Sequence, residues 1–112
     1  MKFRYFDGYG RGEPHRTLLH HAGVDFEDIR IPFGTPDWDN LKPSFNNMSL
    51  PILERPDGTY FNQAKTVLRY LGVKYGYYPT DPVEAYEVDK VTDDYYDNFN
   101  TYTAGFLVPP EQ

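Results

Sequence analysis

The sequence contains no cysteine. That excludes disulfide staples, thiolate metal sites and redox chemistry by the protein's own sulfur. It favours a reducing compartment, so the expected location is cytoplasmic. No apolar run approaches the length of a membrane span. Met1-Lys2-Phe3-Arg4-Tyr5-Phe6 is too short and too charged for a secretory leader. Positive charge is scarce: 11 Lys and Arg stand against 17 Asp and Glu, a net −6. The basic residues are scattered and form no stripe, so neither nucleic acid nor an anionic membrane is an expected partner. Internal repeats and low-complexity tracts are also missing.

Aromatic residues are abundant, with 11 Tyr and 8 Phe in 112 residues. That length suffices for one domain with one hydrophobic core. Lys2 to Phe6 is β-prone and reads as a first strand. Asp7-Gly8-Tyr9-Gly10 follows as a turn. Arg11 to Ala22 reads as a helix, with Pro14 in its first turn, Leu18, Leu19 and Ala22 as its apolar stripe, and Gly23 as its stop. Phe26 to Ile31 alternates apolar and charged residues, as a half-buried strand does. Pro32 to Asn47 is irregular, with one short helix near Trp38 to Lys42.

Pro51 to Glu54 and Thr59 to Phe61 form a hairpin around Arg55-Pro56-Asp57-Gly58, which is strong turn chemistry. Asn62 can cap a helix over Gln63 to Val73, with Val67, Leu68 and Leu71 facing inward. Tyr75 to Thr80 is a linker. Asp81-Pro82-Val83-Glu84 starts a last helix: an acceptor at the cap, proline next, glutamate at the third position. It is expected to reach about Phe99, with Val88, Val91, Tyr95 and Phe99 on one stripe. Gly105 and Pro109-Pro110 are expected to end regular structure.

The element order is βαβ, then ββα, then a linker and a helix. Tyr5-Phe6-Asp7-Gly8-Tyr9-Gly10-Arg11-Gly12-Glu13, Trp38 with Lys42, Leu50-Pro51-Ile52-Leu53, Gln63-Ala64 and Asp81-Pro82 follow in order at consistent spacing. Together they resemble a glutathione transferase of the sigma type. The resemblance implies an α/β fold: a thioredoxin-like βαβ-ββα domain over residues 1–76, followed over 77–112 by a linker and one helix of a truncated all-α domain. It also implies that the rest of that domain, which selects the electrophilic substrate, is absent.

By the same resemblance the chain is an enzyme, or the remnant of one. It would bind glutathione as co-substrate and stabilise its thiolate for conjugation to an electrophile or for isomerisation of a lipid-derived substrate. Only the thiolate is a good nucleophile, and a neutral phenol can donate a hydrogen bond to it. The resemblance makes Tyr5 that donor, with Arg11 in support. Taken alone, Tyr5 reads as a strand tyrosine packed for its ring, and Arg11 as a surface arginine.

The indole N–H of Trp38 and the charge of Lys42 would hold the glycine carboxylate; alone, the pair is a loop anchor beside a surface lysine. Leu50, ahead of a cis Pro51, would pair with the tripeptide backbone like an added strand. The helix start at Gln63 and Ala64 would take the γ-glutamyl carboxylate on free N–H groups. Ala64 departs from the family's serine, and a lost hydrogen bond to a charged group weakens affinity about ten- to a hundredfold. Asp97 would reach a partner's glutamyl amine in the homodimer expected of the full-length form.

Asp89, Asp93 and Asp97 share a helix face, which reads as a solvated face or as a carboxylate stack that could collect a divalent cation between subunits. His15, His20 and His21 lie in or beside the first helix, and no metal is expected. A second reading keeps the fold and drops the chemistry: a non-catalytic scaffold like the lens S-crystallins.

Overall fold

The computed structural model describes residues 1–107. It divides into two compact units, the first spanning Met1–Tyr77 and the second starting at Tyr78. The first unit holds a four-stranded mixed sheet. Its strands are β1 (Lys2–Phe6), β2 (Glu27–Ile31), β3 (Ile52–Glu54) and β4 (Tyr60–Asn62), in the spatial order β2-β1-β3-β4. β1 runs parallel to β2 and antiparallel to β3, and β3 runs antiparallel to β4. The helices are α1 (Glu13–His21), α2 (Asp37–Leu41) and α3 (Ala64–Lys74). Tight 3-10 turns at Gly10–Gly12 and Lys42–Phe45 lead into α1 and out of α2. This is the expected βαβ-ββα order, with boundaries moved by one or two residues.

Strand alternation sorts the core into two clusters, because successive side chains point to opposite faces. Phe3 and Tyr5 join Leu53, and the helices supply Leu19, Val67 and Leu71. On the other face Ile31 and Ile52 meet Trp38 and Phe45. Register fixes this division: Phe3 pairs with Leu53, whereas Arg4 pairs with Ile52.

Local chemistry places the turns. Gly23, at φ +68°, follows the end of α1. Its N–H and that of Val24 close onto the carbonyls of His20 and Leu19, the left-handed stop that glycine adopts most readily. In the β3–β4 hairpin the Asp57 carboxylate accepts both the N–H and the hydroxyl of Thr59, at 3.0 and 2.7 Å.

The junction of β4 and α3 departs from expectation. Asn62 belongs to β4, and Gln63 takes the cap position with φ +77° and no side-chain cap bond. The strand runs into the helix with no loop between, so one residue must absorb the whole change of direction. A non-glycine residue in that region stores about 1–3 kcal/mol.

The second unit carries α4 (Pro82–Leu107). Asp81 caps it as expected, accepting the Glu84 N–H at 3.0 Å. The helix continues past Phe99, contrary to expectation. Losing an apolar stripe does not break a helix; only a residue hostile to helical backbone does. The hydroxyls of Thr101 and Thr103 bond back to the carbonyls of Asp97 and Phe99, both at 3.0 Å, and so stay within the helix. Gly105 lies inside it. The expected stop at Pro109-Pro110 falls outside the described residues. The expected apolar stripe is also corrected. Val88, Val91 and Tyr95 are exposed, and Tyr96 is buried. No helix among the described residues is long and apolar enough to cross a membrane.

Candidate functional site

The register puts most of the candidate residues off one end of the sheet. Phe6 lies level with Ile31, and Arg4 with Ile52, which in turn is level with Asn62. The carboxyl ends of β1, β2 and β4 therefore share an edge with the amino end of β3. Tyr5 and Arg11 belong to the exit from β1. Trp38 and Lys42 follow β2, Leu50 and Pro51 precede β3, and Gln63 and Ala64 follow β4. Ligands of open α/β sheets bind beyond such carboxyl ends.

Tyr5 is 7% exposed, and its ring belongs to the core. Its hydroxyl accepts the main-chain N–H of Arg11 at 2.9 Å. That bond uses a lone pair and leaves the phenolic proton to donate elsewhere. No acceptor for that proton occurs among the described residues. Accepting one hydrogen bond also polarises the O–H toward giving another. Gly12 makes room for the ring: a Cβ there would lie 2.5 Å from Tyr5 Cγ. Arg11 is half-buried in the turn leading to α1.

Trp38 is buried, with its ring against Phe45 at a centroid distance of 5.7 Å. Its indole N–H has no partner among the described residues and is not sealed from solvent. Lys42 follows directly after α2, is half-buried, and makes no ion pair among the described residues. The Leu50–Pro51 bond is cis. The main-chain N–H and C=O of Leu50 make no hydrogen bond among the described residues. Gln63 is exposed at the cap of α3, and its carbonyl accepts the Val67 N–H at 2.9 Å. Helical geometry leaves the N–H groups ahead of Val67 without ladder partners.

Asp97 is exposed on α4 in the second unit. Asp89 accepts the Tyr78 hydroxyl at 2.9 Å. No group of three or more His, Asp and Glu side chains fit for a metal ion occurs among the described residues.

A comparison with models of known protein families finds no match. Comparison with individual proteins is decisive. Glutathione S-transferase 1 of Ascaris suum is 41% identical over 96 residues, covering 86% of this chain and 45% of that protein. The chain belongs to the glutathione S-transferase family, matching its N-terminal half. S-crystallin SL18 of Nototodarus sloanii is 33% identical over 98 residues, which is 88% of this chain and 31% of that protein. The solved sigma-class glutathione S-transferase of Fasciola hepatica superposes with a TM-score of 0.81 at 27% identity, over 96% of this chain and 52% of the other. The chain spans about half the length of the curated transferases it matches.

Two buried residues of this transferase-type unit have places that the sequence reading did not assign. Arg16 is 1% exposed, and its guanidinium binds Asp28 and three carbonyls at the exit of β1. His15 is fully buried and stacks on Phe3 at 5.1 Å. Its Nε2 lies 2.7 Å from the Ala64 carbonyl. A carbonyl only accepts, so Nε2 carries the proton. Burial pushes the His15 pKa down to about 4, against the carbonyls of Ala64, Gly12 and Arg11, and repulsion from Arg16 adds to the fall. A signal existed for both: His15 and Arg16 lie three or four residues from Leu19, on the face that α1 buries.

Proposed function

We propose that this chain binds glutathione at the sheet edge and stabilises its thiolate through the Tyr5 hydroxyl. One observation carries the reading. A phenol fixed by the Arg11 N–H keeps its own proton for a ligand, at the same edge as an unpaired Leu50 backbone and a helix start.

The parts match the tripeptide from end to end. The glycine carboxylate would meet the Trp38 indole N–H and the Lys42 ammonium, a donor and a charge suited to an anion. The cysteinyl backbone would pair with Leu50 ahead of Pro51 as an added strand. The γ-glutamyl carboxylate would lie against the first N–H groups of α3, where the helix dipole favours a negative charge, with Gln63 at its side. The sulfur then falls to Tyr5, with Arg11 in support.

A hydrogen bond to a charged sulfur favours ionisation, which turns the thiol into a nucleophile. Attack on an electrophile, or isomerisation of a lipid-derived substrate, follows from holding that thiolate in place. In this role the protein is cytoplasmic. Its partners are the second substrate and a second copy of the chain, to which Asp97 would turn.

A second reading rests on Ala64 and the S-crystallin likeness: the same fold as a scaffold with little affinity for glutathione. Titration separates them. Trp38 is the single tryptophan and sits at the proposed glycine end, so its fluorescence reports occupancy. Saturable quenching with half-saturation below about 1 mM is expected. A flat titration, confirmed by calorimetry, contradicts the transferase reading.

A further inference from the structure

We propose that His15 is a positioning residue for the γ-glutamyl carboxylate: by donating from Nε2 to the Ala64 carbonyl, it fixes the first turn of α3 from inside the core. The proposal rests on the glutathione reading above.

The bond is not needed to satisfy Ala64. That residue opens α3, and its carbonyl already serves the helical ladder, whose first bond runs from Val67 N–H to Gln63. His15 supplies a second, transverse bond at 2.7 Å from another helix. The arrangement strains the core rather than improving it. With the proton on Nε2, the buried Nδ1 lone pair accepts no hydrogen bond among the described residues. An apolar side chain of similar volume would fill the space and leave no polar atom stranded.

What the histidine provides is order where the chain supplies little. Gln63 stands at φ +77° and gives no side-chain cap bond. Ala64 has no polar side chain. Neither Gln63 nor Ala64 therefore gives the N-terminus of α3 a side-chain bond, and His15 bonds its first residue from the core. An anion site made of backbone N–H groups works only where those groups are fixed in advance. His15 also belongs to α1, whose leading turn supplies the Arg11 N–H to Tyr5. One helix thus fixes both the sulfur end and the glutamyl end of the proposed site.

The test is a double-mutant cycle read by calorimetry on the full chain. One arm substitutes His15→Leu, with His15→Gln as the variant whose amide can still donate to Ala64. The other arm compares glutathione with an analogue carrying 4-aminobutyryl in place of the γ-glutamyl group, which lacks only the α-carboxylate. His15→Leu is expected to keep its thermal midpoint or raise it. Its glutathione affinity should fall about fivefold, the worth of one neutral hydrogen bond. Affinity for the carboxylate-free analogue should stay unchanged, and His15→Gln should regain most of the loss. Equal weakening for both ligands, or no weakening for glutathione, overturns the proposal while leaving the glutathione reading intact. Failure of the unsubstituted chain to bind glutathione overturns both.

Discussion

Arg16→Met should lower the unfolding free energy by about 2–4 kcal/mol, because it removes charge-assisted hydrogen bonds from several main-chain carbonyls at once. Small domains have about 5–15 kcal/mol in total, so the variant should be largely unfolded on mild warming. The expectation follows from what the guanidinium holds. Nε donates to Asp28 Oδ1 at 2.9 Å. One terminal nitrogen donates to the carbonyls of Phe6 and Gly8, both at 3.1 Å, and the other to that of Tyr5 at 3.4 Å. The plane also lies over the Phe3 and Tyr5 rings, 5.7 Å from each centroid.

These carbonyls line the point where the chain leaves β1, so the same side chain holds Tyr5 in place. Asp28 retains Arg30 in the variant and the Phe6 carbonyl retains the Gly8 N–H at 2.9 Å, but no charged donor replaces the guanidinium. Lysine carries one nitrogen where arginine presents a planar fork. Arg16→Lys should therefore recover only part of the loss. Urea denaturation measures both. A change under about 1 kcal/mol in Arg16→Met would mean that water satisfies those carbonyls.

Acid should weaken the fold through His15 before the carboxylates protonate. Its folded pKa of about 4 lies below the ordinary 6.5. Between those values the unfolded chain holds a proton that the folded chain refuses. Stability is therefore complete above pH 6.5, falls as the pH drops toward 4, and loses nothing more to this group below that. A shift of this size corresponds to about 3 kcal/mol. Urea midpoints at pH 7 and pH 4.5 measure it. The unsubstituted chain should lose most of that amount, whereas His15→Leu should show only the shallow slope from acidic groups. Parallel slopes in the two proteins would show that His15 takes up its proton in the folded state.

Much of the fold was legible because its punctuation is local. The Asp57 turn, the Gly23 stop and the Asp81 cap each rest on a few adjacent residues whose chemistry permits little else. The sheet-edge residues were legible as a pattern, since Tyr5, Trp38, Leu50-Pro51 and Gln63-Ala64 keep a consistent spacing. Gln63 as the strained junction was not. Its conformation is imposed by the distance from the end of β4 to the start of α3, and Asn62 offers a better cap by chemistry alone. The length of α4 was misjudged because periodicity reports what a helix buries and not whether it persists. Arg16 and His15 were missed because composition assigns arginine and histidine to surfaces. Only the packing of α1 on β1 and α3 turns them inward.

Thiol ionisation of glutathione, followed by thiolate ultraviolet absorbance across pH, probes the Tyr5 hydroxyl itself. On the unsubstituted chain the bound thiol should ionise about one to two pH units below free glutathione, the worth of one hydrogen bond to a charged sulfur. Tyr5→Phe should bind glutathione within about twofold and return the thiol to its free value. Identical titrations for the two proteins would contradict a proton donated from Tyr5.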